Sequence, residues 1–212
     1  MALKNHALDD RILDAARSEF LENGFENASL RKIAAAADVT VGAIYTRYQT
    51  KDALFCALVQ PLVERIGTAF TAIRSSYYDT PPSLDPEHMA QSMQVESEAI
   101  LHLLFDDYDR AVLLLCRSTG SSLESFLDGI IEQKIRETLV FFQAAGVVDP
   151  DVRVLRLLIG GQFHMYFQII RSGYDLSAAK ELMQAAILYH TGGWLALFRS
   201  QEAQKKEVPH EV

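Results

Sequence analysis

The sequence contains few of the residues that mark disulfide-rich, collagen-like or disordered chains. It has only 2 cysteines, 6 prolines and 11 glycines in 212 residues, whereas 49% of its residues are apolar and 23% are charged. Cys56 and Cys116 show no CxxC spacing, so we expect neither a disulfide framework nor a zinc site, and we predict two buried, reduced thiols. A chain of this length and composition can bury a core without disulfides or metals.

Long apolar runs are also missing. The apolar stretch at residues 111–116 ends at a charge, and the first residues of the chain lead directly into polar ones. We therefore expect a cytoplasmic protein with no secretion signal and no membrane-spanning segment.

Basic residues are in deficit, 20 against 28 acidic residues, which gives a net charge of -8. The deficit lies entirely after Lys51, because residues 1–51 carry seven basic and seven acidic side chains. Residues 28–51 carry four basic side chains and one acidic one. A small DNA-binding domain attached to an acidic body would show this bias, although a charge cluster of this size is more often an ordinary solvated surface.

The hydrophobic periodicity is helical almost throughout, which predicts an all-α fold of about nine helices. A first helix should end at Gly24 in the left-handed conformation, Ser29 and Thr40 should cap two short helices, and Thr50 should start a long helix bent at Pro61. Residues 80–86 contain three prolines and are a predicted linker. Five further helices are expected at about 87–105, 107–118, 121–145, 150–171 and 176–201, followed by a frayed tail.

The two short helices and the turn between them have the spacing of a helix-turn-helix. Apolar residues can close a small core on one side: Ala16, Phe20, Ile33, Ala34, Ala37, Val39 and Ile44. The opposite side carries small, hydroxylic and basic residues, which suit a DNA major groove. We predict a DNA-binding domain at residues 1–51 and a larger helical bundle at residues 52–212 that binds a ligand and dimerises.

The run from Ile12 to Leu54 carries a more specific pattern: Ile-x2-Ala-Ala-x3-Phe-x3-Gly-Phe-x3-Ser-Leu-Arg-Lys-Ile-Ala-x2-Ala-Asp-Val-Thr-x-Gly-x-Ile-Tyr-x2-Tyr-x2-Lys-Asp-x-Leu. It resembles the DNA-binding domain of TetR-type transcriptional regulators. The resemblance implies that Tyr45 bonds a phosphate, that Arg31 enters the groove and that Lys51 faces the DNA backbone. The full predicted DNA-binding set is Ser29, Arg31, Thr40, Val41, Gly42, Ala43, Tyr45, Thr46, Arg47 and Lys51.

Two positions depart from the family pattern. Asp38 stands where a glycine is usual in the turn, and aspartate tolerates the left-handed region better than most residues. Val41 stands where a polar or basic residue is common, so base recognition there would use a thymine methyl group.

Paired glycines interrupt the last two predicted helices, Gly160-Gly161 and Gly192-Gly193. Mid-helix glycines cost about 1 kcal/mol each relative to alanine, which suggests a close approach of two backbones. We predict a homodimer through these two helices, and the alternative is a tight crossing within one subunit.

The six histidines are scattered without ligand spacing, and the glycine pairs lack the setting of a phosphate-binding loop. Asp106 and Arg110, one helical turn apart, fit a surface ion pair or a satisfied core pair. We therefore expect no enzyme, no catalytic or metal site and no cofactor. Aromatic and polar residues of the bundle could instead line an effector cavity: Phe70, His102, Phe105, Phe126, Gln162, His164 and Tyr166.

These patterns predict a homodimeric transcriptional regulator, most simply a repressor, that binds pseudo-palindromic double-stranded operator DNA and responds to a small effector. One alternative is a constitutive or protein-regulated DNA-binding factor without a ligand. Another is a helical interaction module whose helix-turn-helix only packs.

Overall fold

The computed structural model describes residues 2–78, 84–147 and 149–207. Within these ranges every regular element is an α-helix and there are nine helices, which confirms the predicted fold class. Their bounds are α1 Ala2–Asn27, α2 Leu30–Ala36, α3 Val41–Tyr48, α4 Lys51–Tyr78, α5 Pro86–Asp106, α6 Tyr108–Cys116, α7 Phe126–Ala144, α8 Val152–Ser172 and α9 Leu176–Glu207.

Local sequence signals explain the first three helices. Gly24 has φ 72° and ψ 169°, so the backbone leaves helical geometry there, but this is not the predicted left-handed cap and α1 continues to Asn27 instead of ending at Gly24. The Asp38 backbone is left-handed, with φ 52°. Around it, Val39 N donates to Ala34 O at 2.9 Å and Asp38 N donates to Ala35 O at 3.2 Å. This pair of bonds is a Schellman motif that ends α2, so the aspartate fills the place where a glycine is usual.

The core of the N-terminal helices extends into α4. Phe55 of α4 meets Phe20 edge-on, with ring centroids 5.1 Å apart, and its centroid lies 5.3 Å from that of Phe25. All three side chains are buried. The first turns of α4 therefore complete the small core that α1, α2 and α3 begin.

The remaining helices form the larger bundle. α5 packs along α9, and α7 packs along α8. The short helix α6 contacts α1, α4, α5 and α8 and lies between the two parts of the chain. Its position decides how the N-terminal helices meet the bundle.

Several predicted boundaries are wrong. α7 begins at Phe126, because residues 118–125 form turns in which Gly120 has φ 83°. α9 continues past residue 201 to Glu207. Residues 79–83, which include most of the predicted linker, and residues 208–212 lie outside the described residues. Cys56 and Cys116 are free, as expected, but half-buried.

Asp106 and Arg110 do not pair with each other. The helix breaks at Asp107, which has φ -138° and ψ 57°. Asp106 instead bonds Arg65 at 3.2 Å, and Arg110 bonds Asp107 at 2.8 Å.

The segment Lys51–Ile73 of α4 is long and apolar enough, by length and composition alone, to cross a membrane. A core helix of a globular protein meets the same two criteria. Here Leu54, Leu58 and Leu62 are fully buried, and α4 packs against α1, α5 and α6. Packing within the fold covers these three leucines.

Candidate DNA-binding surface

Helix α3 has one buried side and one exposed side. Ile44 is buried against the N-terminal core, while Thr40, Gly42, Tyr45 and Thr46 are exposed. Arg31 at the start of α2 is also exposed. The exposed side thus combines two hydroxyls, a phenol, a bare backbone and a guanidinium, a set that can contact phosphates and base edges.

The predicted N-caps are present at both short helices. Thr40 Oγ1 accepts from Ala43 N at 3.1 Å, and Ser29 Oγ accepts from Lys32 N at 3.5 Å. Val41 and Ala43 are half-buried, and Val41 packs against the core. Less of the Val41 side chain is therefore free for a thymine methyl group than the sequence suggested.

Glu19 holds the start of α2 and was missed by the sequence analysis. A capping box would place Glu or Gln at the third residue of α2, but Lys32 stands there. The N–H of Ser29 donates instead to Glu19 Oε1 of α1 at 2.9 Å. Glu19 is buried, so this bond ties α2 to α1 from inside the domain. The lysine at position 32 was the only sequence signal that a donor needed another partner.

The Arg47 side chain is held by a residue of α1 and does not extend freely from the exposed side of α3. Its Nε lies 2.6 Å from Asp9 Oδ1 of α1, and the two side chains are only 22% and 34% exposed. Burial, together with the Asp9 carboxylate, raises the pKa of the neighbouring Tyr48 hydroxyl, while Arg47 acts in the opposite direction. The last turn of α3, the predicted recognition helix, is therefore anchored to α1.

Lys51 also has partners within the protein. Its Nζ donates to Glu26 O at 3.0 Å and to Ala28 O at 3.3 Å, and it lies 4.7 Å from the centroid of the Phe25 ring. These carbonyls belong to the end of α1 and the loop after it. The ammonium group thus caps α1, a role that the prediction of a DNA-backbone contact did not include.

Hydrogen bonds connect the N-terminal helices to the loop after α6. Phe25 N donates to Arg117 O at 2.8 Å, and Ser122 N donates to Asp52 Oδ1 at 2.8 Å. A Cβ on Gly120 would lie 3.7 Å from the Phe25 ring. The junction is a set of direct contacts, so displacement of this loop would displace the DNA-binding helices.

The predicted effector residues separate into buried and exposed groups. Phe70 and Tyr166 are buried, and the rings of both lie 6.0 Å from that of Phe163. His102 and His164 are exposed. Each occupies the solvent side of its helix, because adjacent residues differ by about 100° around the axis and Leu101 and Phe163 take the buried positions. The remaining predicted residues, Phe105, Phe126 and Gln162, are half-buried.

A buried polar layer crosses the bundle near Tyr166. Lys134 Nζ of α7 lies 2.5 Å from Glu96 Oε2 of α5, whose side chain is 4% exposed. Burial raises the pKa of the Tyr166 hydroxyl, a hydrogen bond with Ser97 opposes this rise, and the Glu96 carboxylate adds to it. The layer supplies polar groups to an otherwise apolar interior.

A small cavity of about 80 Å³ lies elsewhere, between the start of α8 and the later turns of α9. Its lining is almost wholly apolar: Phe142, Val147, Pro150, Asp151, Val154, Leu155, Trp194, Leu197 and Phe198. Among the described residues, no group of three or more His, Cys, Asp or Glu side chains is placed to hold a metal ion.

The exposed recognition helix, its capped start and its anchored end define a helix-turn-helix DNA-binding protein. Residues 12–58 match the model of bacterial regulatory proteins of the tetR family. The matched residues span the helix-turn-helix and the first turns of α4.

Three relatives illustrate the likeness. The HTH-type transcriptional repressor Rv1474c of Mycobacterium tuberculosis is 41% identical over 57 residues, which cover 27% of this chain and only 30% of that protein. The probable acrEF/envCD operon repressor of Escherichia coli is 28% identical over 191 residues and 82% of each chain. The structure of a TetR-like regulator from Rhodococcus sp. RHA1 aligns with a TM-score of 0.61 at 18% identity, over 88% of this chain and 96% of that one. These relatives are named as transcriptional regulators, in agreement with the prediction that the chain is not an enzyme.

Proposed function

We propose that the protein is a transcriptional repressor that binds a pseudo-palindromic operator as a homodimer. The exposed side of α3 carries this proposal, because Gly42, Tyr45 and Thr46 stand together on a helix whose opposite residue, Ile44, is buried. A helix of this kind can enter a major groove with its first turns toward the bases. Two relatives are named as repressors, which supports repression as the direction of regulation.

An open apolar surface supports dimerisation through α8 and α9. Leu157, Leu188 and Tyr189 are 74%, 77% and 75% exposed. Among the described residues, nothing lies within 4 Å of a Cβ added to Gly160, Gly161, Gly192 or Gly193, which favours an approach from outside the subunit over a tight crossing within it. A second copy could approach them closely, and two-fold symmetry would then place two recognition helices about 34 Å apart.

The same proposal includes a small effector bound in the bundle. Phe70 of α4 and Tyr166 of α8 flank Phe163, and α4 also contributes Phe55 to the N-terminal core. A ligand inserted beside this aromatic row would press on the helix that both parts share. We assign residues 1–51 to DNA binding and residues 52–212 to dimerisation and effector binding, in a cytoplasmic protein, with Phe55 of α4 completing the core of the first domain.

Selection from random-sequence duplexes tests the DNA-binding proposal. The purified protein should enrich one pseudo-palindrome, and its affinity for that site should fall steeply as salt is raised. A variant with Gly42→Asp, which places a carboxylate on the exposed side of α3, should lose binding and keep its thermal stability. Enrichment of no sequence, or of an asymmetric one, would favour the interaction-module alternative.

A further inference from the structure

The side chain of Arg110 joins α6 to the main chain of α4. Its Nε donates to Leu58 O at 2.6 Å, and its Nη1 bonds Asp107 Oδ2 at 2.8 Å. Arg110 and Asp107 are 23% and 19% exposed, so the contact is largely shielded from water. Asp107 fixes one edge of the guanidinium, and the other edge is thereby aimed at the carbonyl.

The Leu58 carbonyl is next to one that has lost its helical donor. Pro61 has no N–H, so Ala57 O lacks its usual helical partner, and the ring crowds the preceding turn. Leu58 O is the next carbonyl along this turn. Helix direction is sensitive both to prolines and to side chains that bond the helix carbonyls. Arg110 is therefore placed to fix the direction in which α4 leaves the N-terminal core.

α6 is itself held by the proposed dimerisation helix. Tyr108 Oη donates to Ile170 O at the end of α8, 2.9 Å away. Contacts thus run from α8 through Tyr108 to α6 and from α6 through Arg110 to α4. In a dimer formed through α8 and α9, these contacts connect the dimer interface of each subunit to its own α4.

We propose that Arg110 is a positioning residue that sets the separation of the two recognition helices. The proposal rests on the proposed function, since it presupposes a dimer on a two-part operator. Arg110 touches no DNA; it acts through Leu58 and α4. Its loss should change which operator spacing is preferred and leave the recognition surface of each subunit intact.

The test compares operators that differ only in spacing. Kd is measured at fixed salt for the selected site, for sites with one central base pair added or removed, and for a single half-site. Each base pair changes the separation by roughly 3.4 Å. Arg110→Ala should reduce the preference for the selected spacing about fivefold or more, with half-site Kd unchanged. Arg65→Ala is the control, because Arg65 also ties α4 to the α5–α6 corner, but only through an exposed ion pair with Asp106 at the end of α5.

Pro61 provides a second comparison. Pro61→Ala restores a main-chain donor in α4, so it should alter the spacing preference by itself, and Arg110→Ala added to it should change little more. If Arg110→Ala loses half-site binding through misfolding, Asp107→Asn, which releases the guanidinium, takes its place in the same comparison. The inference would be overturned if the Arg110 or Asp107 variant kept the wild-type spacing preference. It would also be overturned if the effects of Arg110→Ala and Pro61→Ala were additive. A wild-type protein that shows no spaced palindrome would instead overturn the proposed function.

Discussion

The ammonium group of Lys51 donates to the main-chain carbonyl of Glu26, 3.0 Å away, so the first residue of α4 closes the end of α1. The same group reaches Ala28 O and lies over the Phe25 ring. A cation at a helix C-terminus satisfies carbonyls that have no helical donor and interacts favourably with the helix dipole. Lys51 is therefore part of the N-terminal fold.

Replacing Lys51 should affect stability more than the ionic component of DNA binding. Lys51→Ala should lower the free energy of unfolding by about 1–3 kcal/mol, because it removes charge-assisted hydrogen bonds. The salt dependence of operator binding should stay close to that of the wild type. Lys32→Ala is the control: its exposed side chain is free to reach phosphate, so its loss should reduce the salt slope by about 1. Denaturant unfolding and binding titrations at several salt concentrations measure both quantities. A salt slope reduced by Lys51→Ala and unchanged by Lys32→Ala would contradict this role.

Glu19 offers a test of the hydrogen bond to Ser29 N. Glu19→Leu leaves that N–H without its acceptor and should destabilise the protein by about 1–3 kcal/mol. Glu19→Gln retains an oxygen at the same place and should cost clearly less. Urea unfolding of the three proteins checks the order. Equal losses for both variants would mean that the carboxylate charge, and not the acceptor, is what α2 requires.

Arg31 and Tyr45 should contribute differently to operator binding. If Arg31 makes a bidentate contact with a base, Arg31→Ala should relax the preference at one base pair by about 1–3 kcal/mol. If the Tyr45 hydroxyl contacts a phosphate, Tyr45→Phe should weaken binding to every sequence alike. Kd values for a set of single-base operator variants separate the two effects. A changed sequence preference in Tyr45→Phe alone would reverse these roles.

The oligomeric state should depend on the apolar side of α8. Leu157→Asp buries a charge in the proposed interface and should convert the dimer to a monomer, which sedimentation velocity can measure. Val95→Asp is the control, because Val95 is also exposed, at 57%, but lies on α5. Dissociation caused by Val95→Asp and not by Leu157→Asp would move the interface away from α8.

His190 should make the stability of the protein depend on pH. It is buried, its Nε2 has no hydrogen-bond partner in the part of the chain that the structure describes, and burial lowers the pKa of its imidazole. The folded state favours the neutral ring, so the stabilisation is complete above the ordinary pKa of about 6.5 and is lost as pH falls from there toward the folded pKa. His190→Leu should lose less stability than the wild type between pH 7.5 and 5.5 in urea unfolding. An unchanged pH dependence would show that the ring is already charged or solvated in the fold.

The features predicted from sequence are those that depend on near neighbours. Ser29 and Thr40 cap their helices as expected, because capping involves residues within a few positions. The partners of Arg47 and Lys51 lie 38 and 25 residues away, so no local pattern could assign them. Helical periodicity distinguishes His164 on the solvent side of α8 from the buried Phe163, whereas residue type alone does not. The contact between Arg110 and Leu58, 52 residues apart, depends on the tertiary packing of α6.

The bonds across the junction also determine how the chain could be recombined with a relative. The contact between Phe25 and Arg117 joins two main chains, so it requires no particular side chain. The contact between Asp52 and Ser122 requires a carboxylate on the N-terminal side. A chimera that exchanges only the first 51 residues would keep Asp52 with its own partner loop. A crossover at residue 58 would separate them unless the donor supplies an acid at position 52, so the better place to splice is at the first residue of α4 and not farther along that helix.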